Sequence, residues 1–196
     1  LKARPVAGDL EAGAELLGEL RPFVYRKYLD FGAIESLREM KALINREVRR
    51  KGMADNIKLG HGGIREVEFV VQALQLIRGG RDTELQVSSL KAALERLPSL
   101  ALLPRAVADE LGSDYVFLRD LEHALQAQED RQTQTLPEGA LDRYRRALAM
   151  SRGGMHFDGW PALSAELERT RARIRHHFDA VIADPEEEVD APISAE

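Results

Sequence analysis

Cysteine is absent from this 196-residue chain. That removes disulfides, thiolate metal sites and cysteine nucleophiles from consideration. No apolar run approaches the length of a membrane span, and no basic-then-apolar leader opens the sequence. Nor is there an excess of positive charge: 28 Lys and Arg face 33 Asp and Glu, for a net charge of -5. A general nucleic-acid binder calls for the opposite balance. No segment has the alternation of a half-buried strand, so the expected fold class is all-α, a multi-helix bundle. A cytoplasmic protein is the default expectation. The opening Leu1-Lys2-Ala3-Arg4-Pro5, without methionine, reads as a piece of something longer.

Glycine is concentrated where it matters most. Asn56-Ile57-Lys58-Leu59-Gly60-His61-Gly62-Gly63-Ile64-Arg65-Glu66-Val67-Glu68-Phe69 places Gly60, Gly62 and Gly63 directly before an apolar helical period. Val67, Val70, Val71, Leu74 and Ile77 then recur three or four residues apart. A helix start offers unpaired N–H groups and a positive dipole end, which suit a phosphate, and Lys58 and Arg65 could add charge. The other reading is a glycine turn that packs one helix tightly against another. Neither the Walker loop nor the dinucleotide fingerprint is present.

The remaining helices follow the same logic. Pro5 and Gly8 make residues 1–8 an extended lead-in, and Asp9 is placed to cap a helix with Leu10, Ala14, Leu17 and Leu20. Pro22 is expected to restart the chain into a short aromatic helix, Phe23 to Leu29. Ala33 to Arg50 reads as amphipathic, with Ile34, Leu37, Lys41, Ile44 and Val48 on one face. Lys41 is expected to lay its stem on apolar surface and keep its charge outside. The cluster Arg46, Arg49, Arg50 and Lys51 reads as a solvated helix end in preference to a phosphate site.

The helix from Ile64 to Arg78 should be buried, yet it carries a polar stripe of Glu68, Gln72 and Gln75. Either these brace neighbouring helices, or Glu68 faces a cleft. Arg65 and Glu66 are the better candidates for ligand contact. Gly79-Gly80 ends the helix. Ser88 or Ser89 can cap the next one, through Leu90, Leu94 and Leu97; Pro104 opens another, carrying Val107, Leu111, Leu118, Leu121 and Leu125 to about Gln128.

Gly112-Ser113-Asp114, with Asp120 and Glu122, imitates the metal-binding signature of nucleotidyltransferases. Its surroundings are helical, and residues 120 and 122 lie roughly 200° apart on a helix, so the set reads as surface positions and not a metal site. His123 reads as a hydrogen-bonded packing residue. His176 and His177 are adjacent and point apart. Helices through Tyr144 and Leu148, closed by Gly153-Gly154, and from Leu163 through Leu167, Arg171, Ile174 and Phe178 to Ile182, complete the bundle. No residue is singled out as catalytic or as a metal ligand.

The string from Asn56 to Arg81 resembles the hallmark of bacterial glutamine synthetase adenylyltransferases, which add and remove AMP on glutamine synthetase. The Gly-Gly-Ile-Arg-Glu version resembles their N-terminal, AMP-removing half; His61 stands where proline is common. Leu121-Glu122-His123-Ala124-Leu125-Gln126 followed by Asp130-Arg131-Gln132-Thr133-Gln134-Thr135-Leu136-Pro137 resembles a second hallmark. Arg4 to Asp9 and Arg21 to Asp30 are also similar to the family.

The resemblance implies the helical domain that follows the deadenylylating nucleotidyltransferase domain. It divides the chain into a lead-in (1–8), a single helical bundle (9–183) and an acidic tail or linker (184–196). In the parent enzyme, phosphate would release ADP from the adenylyl-tyrosine bond with Mg²⁺ held by aspartates of the upstream domain. Lys58, Gly60, Gly62, Gly63 and Arg65 would face phosphate or nucleotide (ATP, ADP), and Glu66 and Glu68 would orient those cations. The isolated chain would be inactive. Implied partners are glutamine synthetase, the PII signal protein and the upstream catalytic domain. The alternatives are a module that only docks glutamine synthetase or PII, and the matching domain of a PII uridylyltransferase.

Overall fold

The structure is a computed structural model, and it describes residues 1–27, 31–50, 52–127, 133–150 and 157–181. Several expected features therefore lie outside the described residues: Tyr28 to Asp30, Lys51, Asp130 to Gln132, Gly153-Gly154, Ile182 and the acidic tail. The side chains of Ile34, Leu37 and Leu148 are outside them too.

Seven helices are described: α1 (Leu10–Val24), α2 (Phe31–Arg50), α3 (Ile64–Arg78), α4 (Leu90–Arg96), α5 (Arg105–Gln126), α6 (Ala140–Met150) and α7 (Trp160–Val181). Short 3₁₀ turns at Met53–Asp55 and Thr83–Leu85 join them. Among the described residues there is no strand, and one isolated antiparallel bridge joins Asn56 to Thr135. The chain is all-α. No described helix is long and apolar enough to cross a membrane.

The apolar periods read from the sequence become the core. Ile64, Val67, Val70 and Val71 of α3 are fully buried, as are Leu111, Leu118 and Leu121 of α5 and Ile174 and Phe178 of α7. Each such side chain contributes roughly 1.5–3 kcal/mol of burial. The α3 helix packs on α7, α4 and α5, and α5 packs in turn on α6 and α7. Phe69 and Phe178 meet edge to face at 5.4 Å where α3 crosses α7. Asp9 caps α1 by accepting from Glu11 and Ala12 N–H, and Ser89 caps α4 through Ala92 N–H.

Four expectations need correction. Pro22 does not restart the chain: α1 runs through it to Val24, with Tyr25 N–H on the Arg21 carbonyl closing the last turn. Pro22 forfeits the backbone bond to the Gly18 carbonyl and crowds it, and the helix ends two residues later at Val24. Lys41 does not send its charge outward. Its ammonium sits at the end of α7, 3.3 and 3.4 Å from the Phe178 and Asp179 carbonyls and 3.0 Å from the Asp179 carboxylate. The negative end of a helix dipole draws it there.

Of the three acids expected at the surface only Asp120 is exposed; Asp114 and Glu122 are buried, and Arg173 of α7 grips Asp114 with two bonds of 3.1 and 2.5 Å. His123, expected to pack, is exposed on α5. The polar stripe of α3 does brace its surroundings: Gln75 donates to the Leu85 and Val87 carbonyls at 2.7 and 2.8 Å.

Candidate functional site

The glycine loop is folded on itself. Asn56 starts it by accepting from the N–H groups of Lys58 and Leu59 at 3.0 and 2.8 Å. Gly60 N–H bonds the Asn56 carbonyl, Gly63 N–H that of Gly60, Ile64 N–H that of Ile57, and Arg65 N–H that of Lys58, all at 2.9 to 3.1 Å. Glu66 N–H reaches Gly63, and Gly62 N–H donates to the Glu66 carboxylate at 3.0 Å. These donors, which a phosphate would have required, are all spent inside the loop. The loop folds back so that its own carbonyls lie over the start of α3, where an anion would otherwise sit.

Gly62 and Gly63 also make room for neighbours. Gly62 has φ +66°, and a Cβ there would lie 2.3 Å from the Arg171 carbonyl oxygen of α7. A Cβ on Gly63 would meet three loop carbonyls at 2.7 to 2.8 Å. At these two positions the glycines serve close packing of the loop on α7.

The second hallmark string of the sequence lies directly on the first. Ile57 N–H donates to the Gln134 carbonyl at 2.9 Å and Leu136 N–H to the Asp55 carbonyl at 3.0 Å, on either side of the Asn56–Thr135 bridge. From α5, buried Glu122 reaches the loop as well. Its carboxylate lies 3.5 Å from Lys58 Nζ and takes a 2.5 Å bond from Arg119. Two segments more than sixty residues apart thus form one unit.

On the α7 side, Arg175 holds the loop. Its Nη1 lies 3.0 Å from Glu66 Oε1, 3.1 Å from Asn45 Oδ1 of α2 and 3.0 Å from His61 Nδ1, while its Nε bonds Asp179 at 2.8 Å. Burial raises the Glu66 carboxyl above the ordinary glutamate range, against the lowering pull of the Gly62 N–H and Arg175. Nothing in the helical period marks Arg175 out, and reading the sequence missed it. The available signal was only a cation one residue beyond a core position, Ile174.

The seven residues expected to share a site therefore have separate commitments. Gly60, Gly62 and Gly63 are buried; Lys58 is tied to Glu122, Glu66 to Arg175, and Glu68 to Lys2 at 2.9 Å. Arg65 is exposed and makes no ion pair among the described residues. It lines a groove of about 390 Å³ between α2 and the loop. The buried carboxylates Glu66, Asp114 and Glu122 each have a cationic partner, so they do not fit a Mg²⁺ site.

The sequence model of the family described as GlnD PII-uridylyltransferase matches residues 38–182. The chain belongs to that family. Curated relatives at 50–57% identity carry the name bifunctional glutamine synthetase adenylyltransferase/adenylyl-removing enzyme. The Pseudomonas aeruginosa protein is 57% identical over 188 residues, which is 96% of this chain and 19% of that protein. The Hahella chejuensis protein is 53% identical over 187 residues, 95% of this chain and 19% of its own length. The Thioalkalivibrio sulfidiphilus protein is 50% identical over all 196 residues and 20% of its own length. The chain thus spans about a fifth of the relatives it matches. These relatives bear out the resemblance to glutamine synthetase adenylyltransferases carried by the two strings.

Proposed function

We propose that this chain is the helical domain of an enzyme that adds AMP to glutamine synthetase and removes it, and that it serves the deadenylylating half. The reading is supported by the joining of its two hallmark strings, Asp55 to Ile57 with Gln134 to Leu136, in a chain at least half identical to relatives of that name. In the reaction, an oxygen of inorganic phosphate attacks the phosphorus of the adenylyl-tyrosine. The bond from phosphorus to the tyrosyl oxygen breaks, the tyrosyl oxygen takes up a proton, and ADP leaves. Mg²⁺, when bound, would neutralise charge on the transferring group; the buried carboxylates described here are paired with cations, so the ion would be held by a nucleotidyltransferase domain of the same polypeptide.

This chain's own part is to present a rigid wall to that domain. The loop's internal bonds and the Arg175 clamp hold its shape. Arg65 is the cation left to meet a phosphate, and Lys58 supports the wall through Glu122. Glutamine synthetase is the protein substrate and PII protein a regulatory partner in this reading.

The test is deadenylylation by the complete polypeptide, followed as loss of AMP mass from modified glutamine synthetase. Arg65→Ala should lower the rate about tenfold or more with the fold intact. Wild-type rates in that variant would remove the wall from the reaction. The docking-only alternative predicts such rates when PII is omitted.

A further inference from the structure

His61 spans the gap between the glycine loop and α7. Its Nδ1 lies 3.0 Å from Arg175 Nη1, and its side chain is 42% exposed. A guanidinium only donates, so the contact is a hydrogen bond only while Nδ1 keeps its lone pair, with the ring neutral and its proton on Nε2. The same Nη1 has two hydrogens to share among three acceptors, the others being Glu66 Oε1 at 3.0 Å and Asn45 Oδ1 at 3.1 Å. Glu66 is buried and charged, and cannot leave. His61 has water to turn to.

The charges around the ring already balance. Arg175, backed by Asp179 at 2.8 Å, meets it from α7; Glu66 meets it from α3 and the neutral Asn45 from α2. Lys41, one turn before Asn45, pairs with Asp179 at 3.0 Å. Arg171, one turn before Arg175, interacts with Asp55 and Glu168. Arg175 and Lys41 thus answer Glu66 and Asp179, and a proton on His61 adds a third positive charge to the set. It also turns the lone pair into an N–H aimed at another N–H. Glu66 Oε1 is 3.6 Å from Nδ1, but the two oxygens of that carboxylate already accept from Arg175 and from Gly62 N–H. The imidazolium meets the guanidinium first.

We propose that His61 is a pH-sensitive latch. Neutral, it ties the glycine loop to α7 through Arg175. Protonated, it lets go, and on the α7 side the loop is held through Glu66. The firmness of the wall then follows pH. This latch is a property of the loop and α7, whichever reaction the wall serves.

Deuterium exchange of the complete polypeptide, read by mass spectrometry on peptides covering Ile57 to Gly63, tests it. Gly60, Gly62 and Gly63 donate within the loop, so their protection reports how firmly it is held. Rates are taken at about pH 8 and about pH 5.5, the span over which histidine ordinarily changes charge, and corrected for the intrinsic pH dependence of exchange. Wild-type protection should fall about tenfold on acidification, the worth of one hydrogen bond to a charged group. His61→Asn offers an oxygen in place of Nδ1 and does not titrate, so its protection should match wild type at the higher pH and stay there at the lower. His61→Leu has no acceptor and should be about tenfold less protected at both. The half-exposed position tolerates both substitutions, and peptides from α5 serve as the internal control for folding.

Three results overturn the latch. Wild-type protection that stays flat or rises on acidification would mean that the imidazolium keeps its hold, by pairing with Glu66. A fall in His61→Asn equal to that of wild type would make Glu66 the sensor. His61→Leu as well protected as wild type at the higher pH would show that the Arg175 bond holds nothing.

Discussion

Arg175 of α7 and Glu66 of α3 meet at 3.0 Å, and through this pair the last helix of the bundle sets the shape of its glycine loop. Glu66 uses its other oxygen to accept from Gly62 N–H, so loop, α3 and α7 are joined through one buried carboxylate. Removing the cation alone leaves that carboxylate uncompensated. Arg175→Met should cost about 2–4 kcal/mol in urea unfolding, and adding Glu66→Gln should recover part of it. A double variant as unstable as the sum of the singles would show that the two residues act independently.

The same pair gives a pH dependence. Because the Glu66 pKa is raised in the folded chain, the folded state takes up a proton more readily than the unfolded one there. The contribution of Glu66 is then fully present below the unfolded glutamate range and is lost as pH rises through the higher folded value. Wild type should gain stability relative to Glu66→Gln between neutral pH and about pH 4. A stability difference between the two proteins that stays flat across that range would contradict the raised value.

Two glycines should respond in opposite directions to alanine. Gly62→Ala places a methyl against the Arg171 carbonyl at a positive φ, so it should lose about 3 kcal/mol or more. Gly112 lies inside α5 with nothing within 4 Å of an added Cβ. Gly112→Ala should gain about 0.5–1 kcal/mol. Thermal unfolding of the two variants side by side checks both signs.

Lys58 and Arg65, taken together as cations in the sequence, should separate in stability measurements. Lys58→Met removes one partner of buried Glu122, leaving Arg119, and should cost about 1 kcal/mol. Arg65→Ala should stay within about 0.5 kcal/mol of wild type. Equal losses would mean that Arg65 has a structural role the geometry does not reveal.

Lys41 stabilises the end of α7 from another helix. Replacing it by methionine keeps the stem on Phe178, over whose ring the ammonium lies at 4.8 Å, and removes the charge from the Phe178 and Asp179 carbonyls. Amide hydrogen exchange should quicken in the last turn of α7 while α3 and α5 stay protected, with about 1 kcal/mol lost overall.

Much of this molecule follows from sequence alone, and for local reasons. Apolar residues at helical spacing give α3, α5 and α7 their extents and their buried faces, because the period determines which side leaves water. Asp9 and Ser89 cap where a short polar side chain reaches nearby N–H groups. The two hallmark strings carry the family, since exact residue order survives in a linear reading.

Other features depend on which helix lies beside which. That Asn56 bridges Thr135, that Lys58 answers Glu122, and that Arg175 takes Glu66, His61 and Asn45 at once are matters of tertiary placement. So is the use of the loop's N–H groups. In sequence they look free for an anion, and only the folded path of Ile57 to Gly60 brings carbonyls over them. Charge is legible in a sequence, but its partner is not. A buried ion pair is decided by the geometry that brings its two halves out of water together.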